Sequence, residues 1–494
     1  MNKIKKVVIV GGGTAGWMSA ALIKKLLHKQ VDVCLIDSEL VPTVGVGEAS
    51  IPPIRAINDV LGIPELDFLN ATNASIKLAI KFENWHNEEK CYFHTFGGAG
   101  YSSPFCSFQH YWLYAKEVGC HDSFWDFDLN YLAINDDRFS NKTQQDKLRD
   151  LPYAYHFDAS KYAEMLKLYS TNIGVKHIKS HVNDVCLDKL NYVNNLKLKN
   201  GQTISGDIFI DCSGQKGLLI KEALGCEFED WSDLLLCDRA IALPSKRLSK
   251  LPLYTRSIAH KFGWQWQIPL KHRTGNGIVY SSKFASDEDA LDVLLKNITE
   301  PLDVEPNYIK FKTGKIKTPW CKNVVAIGLS SGFLEPLEST SIYLIQSSII
   351  RLIKLFPHSD INHSLIEEFN RQANLELDAI RDFIVLHYVL NDRKEAFWQT
   401  YRTKQLPSSL SHKISLFKES GQVIKDPSDI FTDSSWVQVM LGQGLMPKAY
   451  HPRATDFEKE RLLNWLNELK LVKHSALKSL EQYPDFLSKC EKGI

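Results

Sequence analysis

The hydrophobic pattern of the first 37 residues resolves into three pieces. Residues 4–10 (IKKVVIV) end in a β-branched apolar run of strand length, and residues 17–27 carry Ala, Leu, Ile and Met at helical density. Residues 31–36 (VDVCLI) form a second apolar run that stops at Asp37. A short apolar run without polar alternation is what a strand covered on both faces looks like, so this stretch predicts a β-α-β unit with a buried parallel sheet. Two later junctions repeat the strand-to-turn pattern: Ile208-Phe209-Ile210 into Asp211-Cys212-Ser213-Gly214, and Val324-Val325-Ala326-Ile327 into Gly328. Strands recurring so far apart predict one nucleotide-binding module interrupted by insertions. From Ile361 the period changes: Ile366, Phe369, Ala373, Leu377, Ile380 and Ile384 recur every three or four residues, the mark of a long amphipathic helix. Residues 455–474 read as another helix, and 404–454 between them read as loop-rich. The expected fold is α/β, a Rossmann-type module with interleaved segments over 1–360 and a mainly helical region over 361–494.

Composition narrows the function classes. The 494 residues are 44% hydrophobic and 24% charged, an ordinary globular mix that excludes a disordered, collagenous or disulfide-stapled chain. At about 150 residues per domain this length allows about three folding units, but the recurring strand junctions favour interleaving. The charge balance, 59 Lys+Arg against 58 Asp+Glu, lacks the electrostatic footprint of a nucleic-acid binder or a polybasic membrane protein. No apolar stretch reaches the roughly 18–20 residues of a membrane span, because Gly11–Gly13 interrupt the N-terminal run and Lys24-Lys25 close it. The 10 cysteines are scattered with no C-x-x-C pair, which predicts reduced thiols in a cytoplasmic protein and neither a zinc knuckle nor any other metal site.

The candidate chemistry begins at Gly11-x-Gly13-x-x-Gly16, with Thr14 and Ala15 between the last two glycines. Placed between a strand and a helix, such a turn lets a pyrophosphate rest on the helix N-terminus. Asp37 ends the next strand and is placed to hydrogen-bond a ribose hydroxyl, which favours FAD or NAD over a 2′-phosphorylated cofactor. A bare G-x-G-x-x-G is also an ordinary tight turn; the strand, helix, second strand and terminal acid around it are what favour the cofactor.

The most unusual segment is Phe262-Gly263-Trp264-Gln265-Trp266-Gln267-Ile268-Pro269. Two tryptophans at i, i+2 on a strand share a face, and an arbitrary W-x-W is an aromatic core pair. This W-x-W-x-I-P, however, resembles the signature of the flavin-dependent tryptophan halogenase family. The resemblance extends to GGGTAGW at the start, Gly47-Glu48-Ala49-Ser50-Ile51-Pro52, Lys77 in SIKLAIKFENW, His94 and Phe96 in YFHTFG, and DCSGQKGLLI at 211–220. It continues through GLSSGFLEPLESTSIY at 328–343 and SSWVQVMLGQG with Tyr450-His451-Pro452 near the end.

The resemblance implies a flavin monooxygenase-like fold with an interleaved substrate-side sheet and a helical cover. It implies a two-component enzyme: FAD, supplied as FADH2 by a separate flavin reductase, with O2 and chloride or bromide as co-substrates, yields hypohalous acid that halogenates a small aromatic substrate, an indole or tryptophan-like compound. Gly11, Gly13, Thr14, Ala15, Gly16, Asp37, Gly47, Glu48, Ala49, Gly328 and Leu337 are then cofactor-binding. Lys77 is the essential lysine that holds the oxidant, and Glu338 the carboxylate that orients it or takes a proton. Thr340 and Ser341 match the halide-binding Thr-Gly, with Ser in place of the usual Gly; a positive φ at Ser341 would cost more than at glycine. Trp264 and Trp266 are gatekeepers that keep substrate from the flavin, while His94, Phe96 and Trp436 wall the substrate. A lysine is ordinarily a solvated surface charge, His94, Phe96 and Trp436 serve equally well as core residues, and Glu338 also suits a helix N-terminus. No Tyr-Tyr-Glu cluster that grips the amino-acid portion of free tryptophan is visible. The rival readings are a hydroxylating flavin monooxygenase and a non-catalytic FAD-binding protein, and a monomer and a homodimer both stay open.

Overall fold

A computed structural model describes residues 3–38, 47–141 and 150–492. The chain divides into two compact units, each assembled from three stretches: Met1–Ala74, Phe157–Asp238 and Lys310–Asp378 in the first, Ser75–His156, Arg239–Ile309 and Ala379–Ile494 in the second. The division falls inside the helix His363–Val389.

The first unit is built on a six-stranded sheet in the order Trp320–Cys321, Val324–Ala326, Ile208–Asp211, Lys6–Val10, Asp32–Asp37, Lys176–Lys179. All neighbours are parallel except the first pair. The four apolar runs that define the sequence pattern therefore lie side by side, and Val7, Val8 and Ile9 are fully buried as a strand covered on both faces must be. The helix Thr14–Leu27 crosses over this sheet and buries Trp17 through Ile23, which is why its apolar residues are dense rather than periodic.

The second unit holds an eight-stranded sheet. Its central run places Cys91–Thr95, Ala79–Glu83, Tyr254–His260, Gly263–Pro269 and Arg273–Tyr280 side by side, with a parallel step only between Ala79–Glu83 and Tyr254–His260. Every residue of Gly263–Pro269 is buried, so the W-x-W strand is covered on both faces.

Helices follow as expected at His363–Val389 and Lys459–Lys478. The loop-rich reading of 404–454 is corrected: Ser408–Ser420 and Asp433–Gly442 are helices. The second is buried at six consecutive positions, Ser435 to Met440, and a helix enclosed all round shows no amphipathic period for the sequence to reveal. No helix among the described residues is long and apolar enough to cross a membrane.

Candidate functional site

Within the first unit the glycine-rich turn has the shape of an anion cradle. The helix Thr14–Leu27 starts from Gly13 with no side-chain cap and no acidic residue in its first turn, leaving its leading amides to a bound group. A Cβ on Gly16 would stand 1.9 Å from the Gly11 carbonyl oxygen, so only glycine permits this turn. At Gly13, by contrast, a Cβ would meet nothing within 4 Å. That open approach to bare backbone is what a pyrophosphate needs, and the residues present fit FAD. Gly11 N donates to Ile36 O at 2.9 Å, Thr14 Oγ1 to Ala159 O at 3.4 Å, and Gly328 lies against Ala15. Asp37 ends its strand half-buried, 3.7 Å from His177 Nε2. Gly47–Ala49 form a short strand, and burial pushes the Glu48 carboxyl up to about 7.

Gly13 and Gly16 therefore predict different outcomes. Gly13→Ala should leave the apo melting temperature unchanged and weaken FAD binding at least 10-fold by flavin fluorescence titration. Gly16→Ala should lower the melting temperature as well, and equal behaviour of the two would refute the cradle.

Glu338 closes the short 3₁₀ turn Pro336–Glu338 and is only 1% exposed, with Leu337 buried beside it. Ser339 takes the left-handed turn at φ 58°, Thr340 is the N-cap, and Ser341 opens the helix Ser341–Lys354. The strain expected for a serine at 341 does not arise, because the positive φ belongs to Ser339 and Ser341 is helical. This helix too begins without a side-chain cap or a first-turn acid. Glu335, three residues before Glu338, is also fully buried.

In the second unit Lys77 is 0% exposed, which overrides the solvated-surface reading of a lysine. It ends the three-residue strand Ser75–Lys77, with Nζ 5.2 Å from the centre of the Phe96 ring. Its surroundings hold it from both sides. Leu78 N donates to Leu253 O at 2.7 Å, and Leu78 O accepts from Phe96 N at 3.0 Å and from Asn130 Nδ2 at 3.1 Å. Before it, Ser75 Oγ meets Pro269 O at 2.5 Å and His156 Nδ1 at 3.0 Å.

His94 and Phe96 flank Thr95, whose amide donates to Gln438 Oε1 at 2.8 Å and whose hydroxyl donates to Asp128. Burial pushes the Asp128 carboxyl up. His94 faces Phe383 and Phe431, with ring centres at 5.4 and 6.0 Å, and Trp436 packs edge-on against Phe383 at 4.9 Å. Lys413 Nζ lies 5.2 Å from the Trp436 ring and pairs with Asp426 and Asp429. Trp264 and Trp266 stand 6.3 Å apart at 60°, and Trp264 also meets Trp85. The structure thus gathers Lys77, His94 and Phe96 with Trp264, Trp266 and Trp436 in one unit, and the glycine turn with Glu338, Thr340 and Ser341 in the other.

A family model for tryptophan halogenases matches residues 6–459. The chain belongs to the tryptophan halogenase family. It is 34% identical to the tryptophan 6-halogenase ThaL of Streptomyces albogriseolus over 92% of this chain and 93% of that one. Among solved structures, a flavin-dependent halogenase from Xanthomonas campestris is 40% identical with a TM-score of 0.96, covering 99% of this chain and 98% of its own. BrvH, a flavin-dependent halogenase from Brevundimonas sp. BAL3, is 37% identical with a TM-score of 0.94 over 99% of each chain. The protein is a flavin-dependent halogenase with the fold of that family.

Sequence reading of this halogenase missed the buried polar groups behind the motifs: Ser75, His156, Thr255, Asp128, Asn130 and Gln438. A polar residue inside an apolar run, as His156 is in AYHFD, is a faint signal, because partners such as Thr95 for Asp128 and Gln438, or Ser75 for His156, lie 33 to 343 residues away.

Three histidines, His110 and His156 fully buried and His260 partly so, give the halogenase a predictable acid response. Burial lowers His110 to about 4, lowers His260, and lowers His156 well below its usual range, where the Lys77 charge adds to the effect. An unfolded histidine protonates near 6.5, so below that pH the unfolded chain binds protons the folded chain refuses. His110 lowers stability by about 1.4 kcal/mol per pH unit as pH falls from 6.5 towards about 4, and His156 and His260 act in the same sense. Glu48, raised to about 7, works in the opposite sense between 7 and its unfolded value, and offsets one of the three. Urea unfolding at pH 7, 6 and 5 should show stability falling with pH; a flat profile would refute buried neutral histidines.

Proposed function

We propose that this halogenase uses FADH2 from a separate flavin reductase, O2 and chloride or bromide to make hypohalous acid, and transfers the halogen through Lys77 to an indole. When bound, the reduced flavin would supply two electrons and two protons that, with two electrons from the halide and one further proton, convert O2 and halide into hypohalous acid and water. The arene C–H is then replaced by C–X, and the hydroxyl of HOX leaves with the ring proton as water.

The observation that carries the reading is Lys77: a fully buried amine against the Phe96 face, on a strand fixed before and after it. Burial gives its N–H groups a low-dielectric setting in which a hydrogen bond to HO–X, or a haloamine, is worth far more than in water. Glu338 is proposed to take the ring proton, Thr340 and Ser341 to hold halide through their amides, and Trp264 and Trp266 to keep the arene from the cofactor. His94, Phe96 and Trp436 are proposed as the arene's walls. The rings of Phe383 and Phe431 pack beside His94, flat faces that suit an indole.

Purified protein with FAD, a flavin reductase, NADH, O2 and bromide should add one bromine to indole, and bromide should serve at least as well as chloride. A product heavier by one oxygen would replace this reading with a hydroxylase.

A further inference from the structure

The strand that carries Lys77 is only three residues long, Ser75–Lys77, and its antiparallel partner is Ala154–Asp158 with Ser75 opposite His156 and Lys77 opposite Ala154. So short a ladder has few backbone bonds to fix its register, and a displacement of about 1 Å at a reacting group can cost about 100-fold in rate. Something besides the ladder must hold Lys77 still. Ser75, His156 and Thr274 are all 0% exposed, and Thr255 is 6% exposed, so this part of the sheet is dry.

The hydrogen bonds there have only one consistent direction. Ser75 Oγ lies 2.5 Å from Pro269 O, a carbonyl that can only accept, so the single hydroxyl proton of Ser75 is spent on Pro269. His156 Nδ1, 3.0 Å from Ser75 Oγ, must then carry a hydrogen and donate it. His156 Nε2 lies 2.9 Å from Thr255 Oγ1 and, in a neutral ring, accepts the threonine proton. The chain of donors runs Thr255 to His156 to Ser75 to Pro269, with every proton placed. Tyr483 joins the same cluster: its side chain accepts from Ile76 N at 2.9 Å and is hydrogen-bonded to Ser75, whose oxygen keeps a second lone pair for it. Pro269 is the last residue of the W-x-W-x-I-P strand, so this chain joins the two signature segments of the family.

We propose that His156 is a positioning residue for Lys77: as the neutral Nδ1–H tautomer it locks Ser75, and with it the strand Ser75–Lys77, to the Pro269 end of the strand bearing Trp264 and Trp266. The proposal rests on the reading of Lys77 as the residue that handles the halogen. A neutral ring also spares Lys77 a second positive charge next to it.

Two replacements separate the two ends of the ring. Asparagine places an amide N–H where Nδ1–H stood and still donates to Ser75; glutamine reaches Thr255 instead and leaves Ser75 without a donor from position 156. His156→Asn should keep at least a third of the kcat for indole bromination, whereas His156→Gln should lose 10- to 100-fold in kcat with KM for indole within 2-fold. Ser75→Ala should match His156→Gln, and the double variant Ser75→Ala/His156→Gln should be no slower than either single change, since both cut one chain. Additive losses, or equal kcat for the Asn and Gln variants, would overturn the proposal. If the single variants fail to fold, ¹⁵N-histidine NMR of the wild-type protein decides, with the His156 signal assigned by its through-space contacts to Ser75 and Thr255: neutral Nδ1–H at pH 7 is expected, and an Nε2–H or doubly protonated ring overturns it. That spectrum needs no turnover, so it separates a failure of this proposal from an enzyme that does not halogenate indole at all.

Discussion

Lys77→Met should reduce indole halogenation by at least 1,000-fold while leaving the affinity for FAD within 2-fold of the wild type. A thousandfold loss corresponds to about 4 kcal/mol of transition-state stabilisation, a size that removal of a group contacting the reacting atoms produces and loss of a surface charge does not. Methionine nearly preserves the length and volume of the buried chain, so the packing against Phe96 survives and stability should change by no more than about 1.5 kcal/mol. The proposed FAD cradle, the glycine-rich turn, belongs to the other unit and uses none of the residues around Lys77. Halogenation by stopped assay, FAD titration and thermal unfolding on one preparation test the claim together. Retained turnover would remove Lys77 from the reaction; loss of activity with a collapse in melting temperature would assign it a structural role instead. Lys77→Arg should also fail, because a guanidinium cannot form a haloamine and its planar fork does not fit the space of a single ammonium.

These residues also show what the sequence made legible and what it did not. The strand Lys6–Val10, the helix behind Gly13 and the strand ending at Asp37 were readable because an unbroken apolar run, a glycine turn and a second run ending in an acid follow one another within 37 residues. The helix Asp433–Gly442 was not, because a helix buried on all sides has no polar face to set a period. Lys77 was found by a motif, but its burial was not: four apolar neighbours in sequence say little about what covers a three-residue strand. His156 was invisible for a different reason. Its meaning lies in Ser75 and Thr255, which are 81 and 99 residues away, and hydrogen-bond direction becomes an argument only once those atoms share a place. The W-x-W strand shows the converse. Its tryptophans were noticed for their spacing, whereas Pro269 at its end, which receives the Ser75 proton, drew attention only as part of a signature.

Glu338→Gln should lower kcat for indole halogenation by 100- to 10,000-fold with a melting temperature close to that of the wild type. Two roles are open to a buried carboxylate one turn before the helix Ser341–Lys354, and they differ in magnitude. A negative charge that only complements the helix N-terminus stabilises the fold by about 0.3–1 kcal/mol, and its neutralisation would show as a small drop in stability with nearly normal kinetics. A carboxylate that accepts the ring proton contributes about 100- to 10,000-fold to rate, and glutamine, of almost identical shape, cannot accept that proton at all. The measurement therefore has two axes, kcat and unfolding free energy, and the two roles move along different ones. Glu338→Asp sharpens the distinction, since it keeps the charge near the helix start but withdraws the oxygen by one methylene. A proton acceptor should lose rate on that change, and a helix-terminal charge should tolerate it. If both variants keep near-wild-type kcat, the base is elsewhere, and Glu335, equally buried three residues earlier, is the next carboxylate to replace.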